Sequence, residues 1–250
     1  MLSIVIPSCS PQKLAAVTAH YHCVFRQHPH EIVAITDARS LCEAYNRGLD
    51  RSRGDPVIFS HDDVEALLPH TFAARLLRHL ETFDVVGVAG TSRLVGAGWA
   101  QAGPPHIFGQ VLHPADDQRF FLAIFGNSAP INPAIQAMDG LFLAFRRPVI
   151  ARLRWDEHRF DGFHLYDIDV TFRAYLAGYR LAVAADLPLF HASGGKFNEA
   201  WRSDAQRFID TFRPALLPVL HPPAQFTCVT LPSRAAALPL LTPPHWLNDP

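Results

Sequence analysis

A chain of 250 residues with 49% hydrophobic and 18% charged side chains can bury one sizeable core, which excludes intrinsic disorder and fits a single α/β domain. A net charge of −1 excludes the global positive field that draws proteins onto nucleic acid or an anionic bilayer, so small-molecule chemistry is the stronger expectation. Cys9, Cys23, Cys42 and Cys228 form no CxxC pair and read as reduced thiols. With no basic leader and no apolar run near the ~18 residues of a spanning helix, the chain is expected in the cytoplasm.

In chain order, 2–7 (LSIVIP) is a β-branched apolar run of the kind buried on both faces of a parallel sheet, and Pro7 ends it. Residues 12–26 suit a helix and 31–36 a second buried strand closed by Asp37. Ser40 with Glu43 three residues on is a capping box opening a helix to about residue 53. Residues 56–60 (PVIFS) make a third strand that runs into His61-Asp62-Asp63. A helix over 69–82 and a strand over 84–90 follow. This alternation predicts right-handed βαβ units and a mostly parallel sheet flanked by helices, with ligands beyond the carboxyl ends of the strands.

From 91 to 137 the pattern dissolves into Gly, Pro, Asn and single aromatics, the form of a long binding loop. Order returns with 138–145, a helix over 166–178, a last strand over 180–191 and a helix over 198–212. The expected domain is 1–213, followed by a Pro-rich extension over 214–250 that wraps the domain or contacts an oligomer or assembly partner.

Of the 22 basic residues, 20 are arginine, a compositional bias that also accounts for most of the 14 histidines; only a histidine placed by a motif carries weight. Adjacent carboxylates at Asp62 and Asp63 repel unless neutralised. They either cap the turn after the strand or hold a hard divalent cation together with substrate phosphates. A second acidic cluster, Tyr166-Asp167-Ile168-Asp169, opens a helix whose predicted buried stripe is Ile168, Phe172, Tyr175 and Leu176, which leaves both aspartates off it. Asp169 has Arg173 as an i, i+4 partner, whereas Asp167 has none and is either a catalytic carboxylate or a decoration of the helix N-terminus.

The order LSIVIPS, YNRGLDRSRGDPVIFSHDDV, MDGLFLAFRR, FDGFHLYDIDVTFRAYLAGYRLAV and LPLFH, spread over residues 2–191, resembles a family 2 glycosyltransferase of the GT-A fold. HDDV and FHLYDIDVTFRAYLAGYR are similar to the glycosyltransferase-like branch of streptomycin-type biosynthetic clusters. The resemblance implies that Pro7 and Ser8 line a nucleotide pocket, that Asp37 reaches the base or ribose, and that Asn46 lies on the helix facing the donor. It places His61 and Asp63 at the two positions of the family's D-x-D, with Asp62 between them. Asp63 and His191, with His61, become the ligands of Mg²⁺ or Mn²⁺. Asp139 matches an acidic-Gly turn beside the substrates, and Asp167 the general base. His61 and Tyr166 depart from the family's Asp and Glu.

The function implied is inverting transfer of a sugar from a nucleotide-sugar donor to a carbohydrate or small-molecule acceptor, with Trp99, Phe108 and Phe125 on a segment that closes over the site. Two other readings stay open. One is a sugar-phosphate nucleotidyltransferase, although SCSPQKL offers only Ser10 and Lys13 as a phosphate loop. The other is a degenerate, non-catalytic nucleotide-sugar-binding domain.

Overall fold

The computed structural model describes residues 1–116, 118–126, 129–195, 197–219 and 226–241. It runs β1 (Leu2–Pro7), α1 (Pro11–Val24), β2 (His30–Ile35), α2 (Leu41–Arg51), β3 (Val57–Ser60), β4 (Val64–Ala66), α3 (Pro69–Thr82), β5 (Val85–Gly87), β6 (Ala89–Thr91), β7 (Ile107–Pro114) and β8 (Phe120–Gly126). It continues through β9 (Ile131–Pro133), β10 (Ala137–Met138), β11 (Phe142–Phe145), α4 (Arg147–Leu153), α5 (Tyr166–Leu176), β12 (Leu181–Ala184), β13 (Leu189–His191), α6 (Glu199–Phe212) and β14 (Thr227–Leu231).

The first sheet has the order β2-β1-β3-β11-β5-β12-β9, with β11 and β9 opposed to five strands that share a direction. This is the mostly parallel α/β sheet that the sequence pattern predicts. Successive residues of a strand point to opposite faces, so LSIVIP feeds two cores at once. Val5 and Phe59 pack with Tyr45 of α2, Phe172 of α5 and Phe208 of α6. Ile4 and Ile58 pack with Tyr21 of α1 and Phe72 of α3 on the other side. The N-terminus of α2 is closed as expected: Glu43 N–H donates to Ser40 Oγ at 3.1 Å, and the Glu43 carboxylate takes Arg39 N–H at 3.2 Å. A Cβ on Gly48 would run into Val5 Cγ1, so the glycine is what lets α2 lie this close to β1.

Two expected strands, and the ordered run over 138–145, are each broken in two, because the chain changes sheet in the middle of an apolar run. The strand expected over 84–90 splits at Val88 into β5, in the first sheet, and β6, in the second, whose order is β10-β6-β7-β13-β4. The run 180–191 splits at a turn over 185–188 into β12 and β13. The run 138–145 splits at Asp139–Leu141. The predicted loop over 91–137 is instead built structure: β7 and β8 form an antiparallel pair with a bulge at Gly109/Gln110, where Gly109 sits at φ 116°. The bulge and the burial of both faces erase the alternation that would have marked these strands.

Within the extension over 214–250, β14 pairs with β8, and the rest of that call falls partly on residues 220–225 and 242–250, outside the described residues. Among the described residues all four cysteines are free thiols, and no helix is long and apolar enough to cross a membrane.

Candidate active site

The parallel strands β2, β1 and β3 end side by side, which delivers Asp37, Ser8 and His61-Asp62-Asp63 to one edge. Pro7 ends β1, and Ser8 N–H then bonds to Ile35 O at 2.9 Å, fixing the turn. Ser8 Oγ donates to Asp62 Oδ2 at 2.5 Å. Lys13, near the start of α1, places its ammonium 3.3 Å from Asp63 Oδ2 and 3.9 Å from Asp62 Oδ1.

His191 arrives from β13. β4 begins directly after Asp63 and pairs antiparallel with β13, with Val64 opposite His191. His191 Nε2 therefore lies 3.3 Å from Asp63 Oδ1 and 3.2 Å from His61 Nδ1, and one donor atom from each of these three residues falls within 4.8 Å of the others. His61 Nε2 is 2.6 Å from the Tyr166 hydroxyl. If Nε2–H donates to the tyrosine oxygen, Nδ1 keeps its lone pair on the side of His191 and Asp63, the arrangement in which a partner fixes a ligand's tautomer.

The electrostatics agree with that donor set. Burial, then the neighbouring His191, pushes His61 down to about 4, so the ring is neutral at physiological pH. Burial acts to raise the Asp63 carboxyl, but the hydrogen bond and charge of His191 together with Ser193 outweigh it and hold Asp63 well below the usual carboxylate range. Burial drives the Tyr166 phenol well above its ordinary range and keeps it neutral. Two imidazoles and an anionic carboxylate fit a borderline divalent cation such as Mn²⁺ better than Mg²⁺, which favours oxygen ligands.

The second acidic group faces the same point from the other side. Leu165, the residue before α5, holds a left-handed backbone at φ 58°, a strained geometry for a branched side chain that sets the direction in which Tyr166 and Asp167 leave the helix. The Asp139-Gly140 turn closes against them: Gly140 N–H donates to Asp167 Oδ2 at 2.8 Å, and Leu141 N–H to Asp139 Oδ1 at 3.0 Å. A Cβ on Gly140 would lie 2.7 Å from Tyr166 Cζ and 2.8 Å from Asp167 Cβ, so this close approach requires glycine. Burial, followed by repulsion from Asp139, raises the Asp167 carboxyl to about 7. His61, Asp139, Tyr166, Asp167 and His191 all line one cavity of about 630 Å³.

Several sequence expectations are corrected. Asp169 is fully buried, not on an open face: Arg173 grips its Oδ2 through Nε at 2.8 Å and Nη2 at 2.7 Å, while Arg159 Nη1 lies 3.5 Å from Oδ1. Tyr175 and Leu176, expected in the buried stripe, are exposed, because Val170, Thr171 and Ala174 take the inner face with Ile168 and Phe172. Asn46 is buried and spends its amide on Trp155, donating to the carbonyl at 2.9 Å and accepting the N–H at 3.0 Å; it does not line the cavity. Asp37 is exposed and paired with Arg47 at 2.8 Å, apart from the His61-Asp63-His191 group.

Trp99, expected on a mobile lid, donates Nε1–H to Asp139 Oδ2 at 2.9 Å. Phe108 packs on the interior, and Phe125 does line the cavity. Sequence reasoning missed His113 of β7, whose ring centroid is 5.5 Å from that of His191; it lay in the stretch where no pattern was visible.

By structure, the chain is similar to the mannosyltransferase PcManGT from Pyrobaculum calidifontis, solved with GDP-Man and Mn²⁺, at a TM-score of 0.52 and 17% identity. The match covers 87% of this chain and 65% of that one, so the chain spans just under two thirds of that protein's length, and the likeness speaks for the fold alone. A197 from STIV matches at a TM-score of 0.40 and 11% identity over 79% of this chain and 96% of its own, too distant to bear on the site. No curated protein matches by sequence. Residues 23–212, three quarters of the chain, match the model of the glycosyltransferase-like family, and the chain belongs to that family.

Proposed function

We propose that the chain transfers a sugar from a nucleoside-diphosphate sugar to an acceptor hydroxyl, with inversion at the anomeric carbon and with the help of a divalent cation. The observation that carries this reading is that His61 and His191, two members of the His61-Asp63-His191 donor set, line one cavity with a carboxyl, Asp167, raised to about 7. A base in that range is strong enough to take a proton yet still ionised near neutrality.

In this mechanism the acceptor oxygen bonds to the anomeric carbon while its proton passes to Asp167. The bond to the diphosphate breaks, and the nucleoside diphosphate leaves with the electron pair. Asp167 is aimed by Gly140 N–H, and Asp139 keeps it basic. His61, Asp63 and His191 would hold the divalent cation, which would supply positive charge to the departing diphosphate. Ser8 and Asp62 anchor the donor side of the edge, and Lys13 stands ready to pair with phosphate oxygens.

The test is product analysis with GDP-mannose and UDP-glucose in Mn²⁺. Release of nucleoside diphosphate and a product anomer opposite to the donor's supports the proposal. Release of pyrophosphate assigns nucleotidyl transfer instead, and binding without any release assigns a non-catalytic domain.

A further inference from the structure

We propose that the cavity accepts a neutral molecule with an apolar ring framework, a phenol or a fused-ring alcohol, rather than an oligosaccharide or a phosphate-bearing lipid. This rests on the glycosyltransferase reading and deepens it by naming the acceptor class.

His61, His191, Asp139 and Asp167 share the cavity with a set of aromatic rings. Trp99 meets Phe125 edge-on with centroids 4.8 Å apart, Phe125 meets Phe226 at 4.8 Å, and Phe197 stands edge-on to Trp201 at 5.0 Å. Phe163, Phe197 and Phe226, from three separate segments, are 55%, 69% and 40% exposed at this rim, although nothing in local backbone geometry asks for an aromatic there. Clustered exposed rings around a concave, largely apolar site mark a ligand surface, and the volume suits a small molecule, for which pockets of about 300 to 1,000 Å³ are usual.

The lining also discriminates between acceptor classes. An oligosaccharide brings many hydroxyls, and each one buried without a partner is costly. Several of the polar groups among the described lining residues are already engaged with one another: Trp99 Nε1–H with Asp139, the Tyr166 hydroxyl with His61 Nε2, and Gln101 Oε1 with Gly98 N–H at 3.3 Å. A phosphate head group calls for cationic partners, whereas Asp139 and Asp167 bring negative charge to this lining. A flat, neutral ring system stacks on such rings and carries its one hydroxyl to Asp167.

The experiment titrates the protein with 4-methylumbelliferone, cellotetraose and farnesyl phosphate, read by calorimetry and by quenching of tryptophan fluorescence. The expected result is that 4-methylumbelliferone binds at least about tenfold more tightly than the other two. The double variant Phe197→Ala, Phe226→Ala then weakens it about tenfold, the scale of two lost aromatic contacts. The control Leu176→Ala, exposed on α5 away from the cavity, leaves the affinity unchanged. Equal or tighter binding of cellotetraose or farnesyl phosphate, no binding of 4-methylumbelliferone, or an affinity unchanged in the double variant at an unchanged melting temperature overturns the proposal. A separate titration with GDP and UDP in Mn²⁺ distinguishes the two layers: nucleotide binding without the ring preference sinks the acceptor class alone, and ring preference without nucleotide binding sinks the transferase reading.

Discussion

The edge where β1, β2 and β3 end and the cavity beside it meet at His61, and they treat their carboxylates in opposite ways. On the edge each acid has a positive or hydroxyl partner: Asp62 takes Ser8 Oγ, Asp63 takes His191 and Lys13, and Asp37 takes Arg47. In the cavity Asp139 and Asp167 accept from neutral N–H donors, among them Trp99, Leu141 and Gly140, and repel each other. The consequence is visible in their titration, since Asp63 is held far below the usual range and Asp167 rises to about 7. A carboxylate with cations around it remains an anion fit to ligate a metal; one without them becomes basic enough to take a proton.

The sharpest way to break this contrast is Asp167→Asn, which keeps size and hydrogen bonding but cannot take up a proton. Turnover should fall by about 10² to 10⁴-fold, or about 3 to 5 kcal/mol, with donor affinity little changed. Asp169→Asn, two residues away, should do the reverse. Leaving Arg173 and Arg159 without their buried anion should cost about 3 to 5 kcal/mol in urea unfolding while turnover per folded molecule is retained. If Asp169→Asn abolishes turnover and Asp167→Asn does not, the base has been placed on the wrong carboxylate.

A smaller effect is expected from Tyr166→Phe, which removes the partner of His61 Nε2 and should weaken Mn²⁺ affinity by about 10 to 100-fold in a direct titration. An unchanged affinity would mean that His61 needs no such support.

The pH profile tests the repulsion itself. Activity should be lost as pH falls through about 7, where Asp167 takes up its proton. Asp139→Asn removes the repelling charge, so the acid limb should move to lower pH. A limb that stays in place would show that burial alone sets the basicity. The smallest effect should come from Lys13→Ala: with the lysine side chain half-exposed, stability should change by less than about 1 kcal/mol, and any larger loss should appear in nucleoside diphosphate affinity.

Much of the edge was legible in the sequence. LSIVIP, PVIFS and the Ser40-Glu43 cap each rest on local signals, and the strands they predict bring Ser8 and Asp62 together once they run parallel. Asp167 stood out by its lack of an i, i+4 partner, with its role as base supplied by the resemblance, and His191 was legible only through the resemblance, because what seats them, the Asp139-Gly140 turn and the pairing of β13 with β4, joins residues distant in sequence. The cavity wall was legible only in part: the segment bearing Trp99 and Phe125 was expected over the site, but its strands were not. β7 and β8 carry apolar residues on both faces and are bulged at Gly109, so no period marks them as strands. Asp169 was misread because i, i+4 spacing to Arg173 says that the two can pair, not that the pair is buried.

The central claim, that His61, Asp63 and His191 hold a divalent cation against a nucleoside diphosphate, is tested most directly by calorimetry of GDP and UDP in Mn²⁺ and in EDTA, with the native chain and with Asp63→Ala. Binding in Mn²⁺ that weakens by about 100-fold or more, about 2.7 kcal/mol, both in EDTA and in the variant is the predicted result. Equal affinity with and without the metal would contradict it.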